Sequence, residues 1–225
     1  MPAPDPARAR GAADPAHLTH DRSRATERIT RQEADMAITR WFFEPGHTGA
    51  EFKARHMMVT YVRGQFKNIQ GSIEVDPDKP EDARIEATID ATQVYTGQPQ
   101  RDAHLRSADF FDVAHHPMWT FTSTGVTQLS ETEFEVTGDL TVRGVTRRVP
   151  LHVAYLGQWG TPWWEGDQDL GPRQRAGFLA TGRVNRHDFG VSWNDAVDRG
   201  GVVVSDLVDI TIDVEAVLDP SGPRS

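Results

Sequence analysis

The chain predicts an all-β protein: an antiparallel barrel of about eight strands, with a short helical connection laid over one end. Three observations lead there. Several segments alternate apolar and polar residues with period two, the pattern of a strand with one buried and one wet face. These segments are long and carry acids on the wet face, so a sheet built from them has to close or pair with another, because long open edges invite association. One stretch, Arg101 to Phe121, lies between alternating segments and does not alternate itself.

Residues 1–37 come first, rich in Ala, Pro, Arg and Asp without usable periodicity. Such a segment buries too little apolar surface to offset its ordering entropy, so it is expected to be a disordered tail, with at most a transient helix from Ile29 to Ala37. Met36 is a second candidate start. His17 and His20 read as solvated rather than as metal ligands. Residues 38–218 form the expected domain and 219–225 a flexible end.

From Ile38 the pattern is β. Trp41-Phe42-Phe43 leads into the turn signal Pro45-Gly46, and Gly49 to His56 sets Phe52 opposite Glu51 and Lys53. Tyr61 to Asp76 is a long run whose glycines, Gly64 and Gly71, suggest bends or bulges. Arg84 to Thr92 is the cleanest strand: Ile85, Ala87, Ile89 and Ala91 share one face, and the small alanines leave room for a cavity as readily as for close packing. Phe134 to Val142 and Val145 to Leu156 alternate about Arg143-Gly144, read as a two-residue hairpin loop. The last strand, Val202 to Leu218, places Val208, Ile210, Ile212 and Val214 opposite Asp209, Thr211, Asp213 and Glu215. About eight strands suffice to enclose one small ligand.

Two stretches stand outside this pattern. In the first, Pro99 can open a helix at its first position, Asp102, Leu105 and Asp109 follow at helical spacing, and His115-His116-Pro117 ends it. Phe110 and Phe111 then form an aromatic hook, either a plug completing the core or a lid over a cavity. The second, Gly157 to Gly177, has no strand pattern yet holds Trp159, Trp163 and Trp164, half of the six tryptophans. Those rings either pack on the barrel exterior or a neighbouring subunit, or gate the barrel mouth.

Composition excludes several functions. The net charge of −9 belongs wholly to the body, since residues 1–35 carry six Arg against six acids; no basic face is available for nucleic acid. With no cysteine there is neither a disulfide nor a thiolate metal site. No apolar run is long enough to span a bilayer, and the start lacks the apolar core of a secretory signal, so a cytoplasmic location is expected. Sequence signatures of hydrolases, zinc proteases and nucleotide-binding loops are missing. His104, Asp102 and Asp109 could in principle exchange protons, but they read better as groups that cap helix ends and tie loops. No catalytic residue, metal or cofactor is expected.

Six blocks, in order, resemble the YceI-like family of lipocalin-like barrels associated with polyisoprenoids and other long-chain amphiphiles. They are Phe43-Glu44-Pro45-Gly46-His47; Phe52 to Val59; Val62 to Phe66; the block DAHLRSADFFD (Asp102 to Asp112); Gly138 to Thr146; and Asn185 to Gly190. The resemblance implies a hydrophobic interior that holds an isoprenoid, quinone or fatty-acid type of chain without chemistry. Inward-facing candidates are Phe52, Met58, Phe66, Ile85, Ile89, Leu105, Phe110, Phe111, Trp119, Phe121, Leu140 and Phe189. Met and Phe suit this task because they make adaptable apolar walls. His56, Arg63, His104 and Asn185 are the candidates for head-group contacts. A homodimer through the Trp159–Trp164 segment is a further expectation.

Overall fold

The computed structural model describes residues 38–221, so the N-terminal tail, with His17, His20 and the Ile29–Ala37 segment, lies outside the described residues. Twelve strands occur among them: β1 (Thr39–Phe43), β2 (Gly49–His56), β3 (Thr60–Lys67), β4 (Gln70–Asp76), β5 (Lys79–Asp90), β6 (Met118–Gln128), β7 (Glu133–Val142), β8 (Val145–Glu165), β9 (Gln168–Asn185), β10 (Ala196–Val197), β11 (Gly201–Val202) and β12 (Val204–Leu218). One α-helix, α1 (Pro99–Arg106), stands between β5 and β6.

Ten of the twelve strands make eight staves, while β10 and β11 pair with each other apart from the barrel. β1 and β2 are two halves of one broken strand, and β3 and β4 two halves of the next. The breaks match, since β1 pairs with β4 (Trp41 opposite Ile73) while β2 pairs with β3 (Phe52 opposite Gly64). Neighbours then follow in the order β4, β5, β6, β7, β8, β9 and β12, every contact antiparallel. β12 closes the ring by pairing with both halves of the first stave, Ile210 opposite Phe52 and Ala216 opposite Phe43. The expected barrel of about eight strands is the fold observed.

Its turns follow the local chemistry. Arg143 and Gly144 adopt φ of 52° and 74°, the left-handed pair that a two-residue hairpin needs to match the twist of its strands. α1 begins as expected, with Pro99 in its first turn and the Gln98 side chain accepting from the Gln100 N–H. The helix ends at Arg106, before Asp109.

Two expectations are corrected. The Trp-rich segment is not a loop: β8 and β9 continue through it as a hairpin, from Gly157 opposite Gly177 to Glu165 opposite Gln168. Register shifts at Tyr155/Gly157 and Pro162/Trp164 interrupt the alternation that would have marked it. Gly64 and Gly71 are not bulges either. A Cβ on Gly64 would stand 2.2 Å from the Phe52 ring, and one on Gly71 2.5 Å from the Phe43 ring. Each glycine leaves space for an aromatic ring; the break in the long run falls instead at Asn68, which has φ of 56°.

Candidate functional site

Along the strands the inward residues are aliphatic or aromatic, and they do not fill the barrel. A cavity of about 330 Å³ remains, within the range of about 300–1,000 Å³ usual for ligand sites. Eleven of the twelve inward candidates line it: Phe52, Phe66, Ile85, Ile89, Leu105, Phe110, Phe111, Trp119, Phe121, Leu140 and Phe189. Met58 does not. It sits in the β2–β3 turn at φ of 59°, 37% exposed, because the chain reverses there before another inward position is reached.

One end of the cavity is covered. After α1 the chain curls back on itself, the N–H groups of Phe111 and Asp112 donating to the carbonyls of Leu105 and Ser107, both at 2.9 Å. This presents Phe111 edge-on to Trp119 (ring centres 4.7 Å apart), while Phe110 packs against Trp193 at 5.3 Å. Leu105, Phe110 and Phe189 are all buried there. Polar groups hold the cover in place. The Asp102 carboxylate accepts from the N–H and hydroxyl of Thr96 (2.9 and 2.5 Å), and Arg106 donates to the carbonyls of Thr92 and Val94. Arg143, at the β7–β8 turn, donates to Ala108 O (2.8 Å) and Gly190 O (2.6 Å), strapping the hook to the segment after β9. His115, through a hydrogen bond, and the Arg143 guanidinium act on Asp112 in the same hook. The His115 bond is the largest cause holding its carboxyl below the usual carboxylate range.

Two charged residues border the cavity, Glu51 and Arg186. Arg186, which sequence reasoning missed, is buried and donates to four carbonyls: Ser205, Val191, Trp193 and Val204, at 2.7–3.2 Å. Burial lowers its pKa, against the Asp206 carboxylate. With its donors engaged it is a strut; nothing in the sequence around it signals that role. Trp119 is different. Its indole N–H is buried without a hydrogen-bond partner among the rings of Phe66 and Phe111.

The four head-group candidates are not brought together, and none lines the cavity. His104 pairs with Asp109 at 2.9 Å and packs against Trp193. Asn185 caps a 3-10 turn through the His187 N–H. Arg63 is exposed on β3, and His56 ends β2 beside the covered end. His104 and Asn185 find partners in the connections, as polar groups do in preference to facing an apolar hollow.

On the outer wall Glu44, His47 and Glu215 bring three potential ligand atoms within 4.8 Å of one another. His47 already contacts Glu44 at 2.7 Å, and Arg175 pairs with Glu215, so these groups are already engaged. Arg175 and Arg173 also lie over the Trp163 ring (5.0 and 4.4 Å), which ties the two strands of the β8–β9 hairpin to each other.

An eight-stranded antiparallel barrel closed round an apolar hollow is a lipocalin-like fold. The profile of the YceI-like domain matches residues 41–216. Protein YceI of Escherichia coli O157:H7 is 37% identical over 174 residues, covering 77% of this chain and 83% of that protein. The chain belongs to the YceI-like family. Among solved structures, the Campylobacter jejuni YCEI protein superposes with a TM-score of 0.58 at 27% identity, covering 72% of this chain and 88% of that one. A polyisoprenoid binding domain from Saccharophagus degradans superposes with a TM-score of 0.54 over 82% of this chain and 99% of that one; at 14% identity it is a likeness of fold.

Proposed function

We propose that the protein binds a long-chain isoprenoid or similar amphiphile inside the barrel, for carriage, storage or sequestration, and catalyses no reaction on it. The apolar cavity of about 330 Å³ carries this reading. Each methylene taken out of water there contributes about 0.8 kcal/mol, so an extended chain gains affinity with few polar contacts. The fold shared with the Saccharophagus degradans domain, named for polyisoprenoid binding, supports the same class of ligand. Against an enzyme stands the lining itself: its one buried charge, Arg186, is already engaged by four carbonyls, and among the described residues no acid–base pair converges inside.

Titration with an isoprenoid quinone tests this, because Trp119 reports from the cavity wall. Saturable quenching is expected, reduced in Trp119→Phe while the affinity stays the same. Absence of saturable quenching contradicts the proposal. A tenfold or greater loss of affinity in Trp119→Phe, about 1.4 kcal/mol, would instead assign the unpartnered indole N–H to the ligand's polar end.

A second reading, self-association through the β8–β9 hairpin, draws on the exposure of Trp159 and Trp164, 61% and 59%. Light scattering before and after both are changed to Ser measures it; a monomeric mass throughout ends it.

A further inference from the structure

β5 and β6 are long strands that meet along only part of their length. Their pairing runs from Asp90 opposite Met118 to Glu86 opposite Thr122 and then stops. Beyond that point β5 still pairs with β4, as far as Lys79 opposite Asp76, and β6 with β7, as far as Gln128 opposite Phe134. Residues 79–84 and 124–128 therefore have a ladder partner on one side only, and the hydrogen bonding of the wall is split there. The final link is not part of the ladder: the Ile85 N–H donates to the Ser123 hydroxyl, at 2.9 Å, where a carbonyl would be expected. A Cβ placed on Gly125 would meet nothing within 4 Å. The split leads inward, since Pro80 and Ala83 on one flank and Val126 and Phe134 on the other all line the cavity. Pro80 also lacks the N–H that could have bridged the two strands. Around the split stand exposed Asp78, Glu81, Asp82 and Glu131, with Lys79 and Arg84 as the nearby cations.

We propose that the chain of the ligand enters sideways through this split, and that the head group left at it is uncharged or cationic, not phosphate or carboxylate. The proposal rests on the lipid-binding reading above and adds the route and the head-group class. The opposite end is shut by Leu105, Phe110 and Phe189 under the Arg143 strap, and a chain passing there would have to break that packing. At the split it meets half-buried apolar edges. An anionic head group there would face surplus acids, a repulsion that salt weakens.

The absence of cysteine supplies the test. Gly125→Cys and, on the covered end, exposed Ala114→Cys are each folded first and then coupled to a bulky maleimide, so the block is installed on a finished barrel. Transfer of an isoprenoid quinone to phosphatidylcholine vesicles is followed for each. The Gly125 adduct is expected to slow transfer about tenfold relative to its unlabelled form, with the Ala114 adduct unchanged. Slowing by the Ala114 adduct alone overturns the route. At low salt a polyprenyl phosphate is expected to bind about tenfold more weakly than the polyprenol of the same chain, a gap narrowed by Glu81→Gln with Asp82→Asn. Equal affinities overturn the head-group class. Failure of unlabelled protein to take up any of these lipids overturns the binding reading itself, a result distinct from both.

Discussion

Asp209 lies on the wet face of β12, 3.0 Å from the Lys53 ammonium and 2.6 Å from the Arg183 guanidinium. Hydrogen bonds from Arg183 and then Lys53 lower its carboxyl pKa. A carboxyl whose folded value is depressed contributes stability above its unfolded pKa, about 3.9, and loses that contribution as pH falls through the folded value. Asp209→Asn is therefore expected to be less stable than wild type near neutral pH, by about 1 kcal/mol or less for an exposed pair, and equally stable well below the carboxylate range. Urea unfolding across that span checks it; a gap that stays constant with pH contradicts the assignment. The same scale limits what the residues alone disclose. Asp102, Arg106 and Arg143 are ordinary polar letters in the sequence, and their work as clamps depends on where the fold brings their partners, such as Arg143 with Gly190.

Elements were legible where the local pattern carried the information. β5, β7 and β12 alternate cleanly because each has one face on the hollow and one in water, and the Arg143-Gly144 turn and the Pro99 helix start are written in single residues. The β8–β9 hairpin was not legible, since its two faces are both largely exposed and its register is shifted twice. Glycine was misread for a related reason: one sequence cannot separate a bend from room left for a ring across the sheet. Gly138 is a third such place, where a Cβ would come within 2.2 Å of the Phe121 ring. Gly138→Val is expected to cost about 1–3 kcal/mol by overpacking, read as a lower urea midpoint; an unchanged midpoint contradicts the account of these glycines. Arg143→Met should act on the cover alone. Amide exchange is expected to quicken in 107–117 and 186–191 while β7 and β8 stay protected, and uniform exchange throughout would show that the strap has no such role.

For the whole molecule, fold and cavity follow from a simple imbalance. The inward faces supply enough apolar side chains to close a barrel but spend alanine at positions such as Ala87 and Ala180 where larger residues would fill it. The order of six blocks pointed to the family, and eleven of twelve inward candidates border the hollow: seven lie on strands, where parity reports the face, and four come from the covering segments. What the sequence withheld was the axis of the barrel, namely which end is covered and where the wall is split. That depends on how far β5 and β6 stay together, a long-range pairing without local signature.

The central claim, a barrel that holds an amphiphile, is tested most directly by native mass spectrometry of protein purified without detergent, before and after incubation with a polyprenol, followed by organic extraction. One bound hydrophobic molecule of defined mass per chain, either carried through purification or taken up on incubation, is the predicted result. A chain that stays at its bare mass under both conditions would contradict it and leave Phe110 and Phe111 as the plug of an empty core.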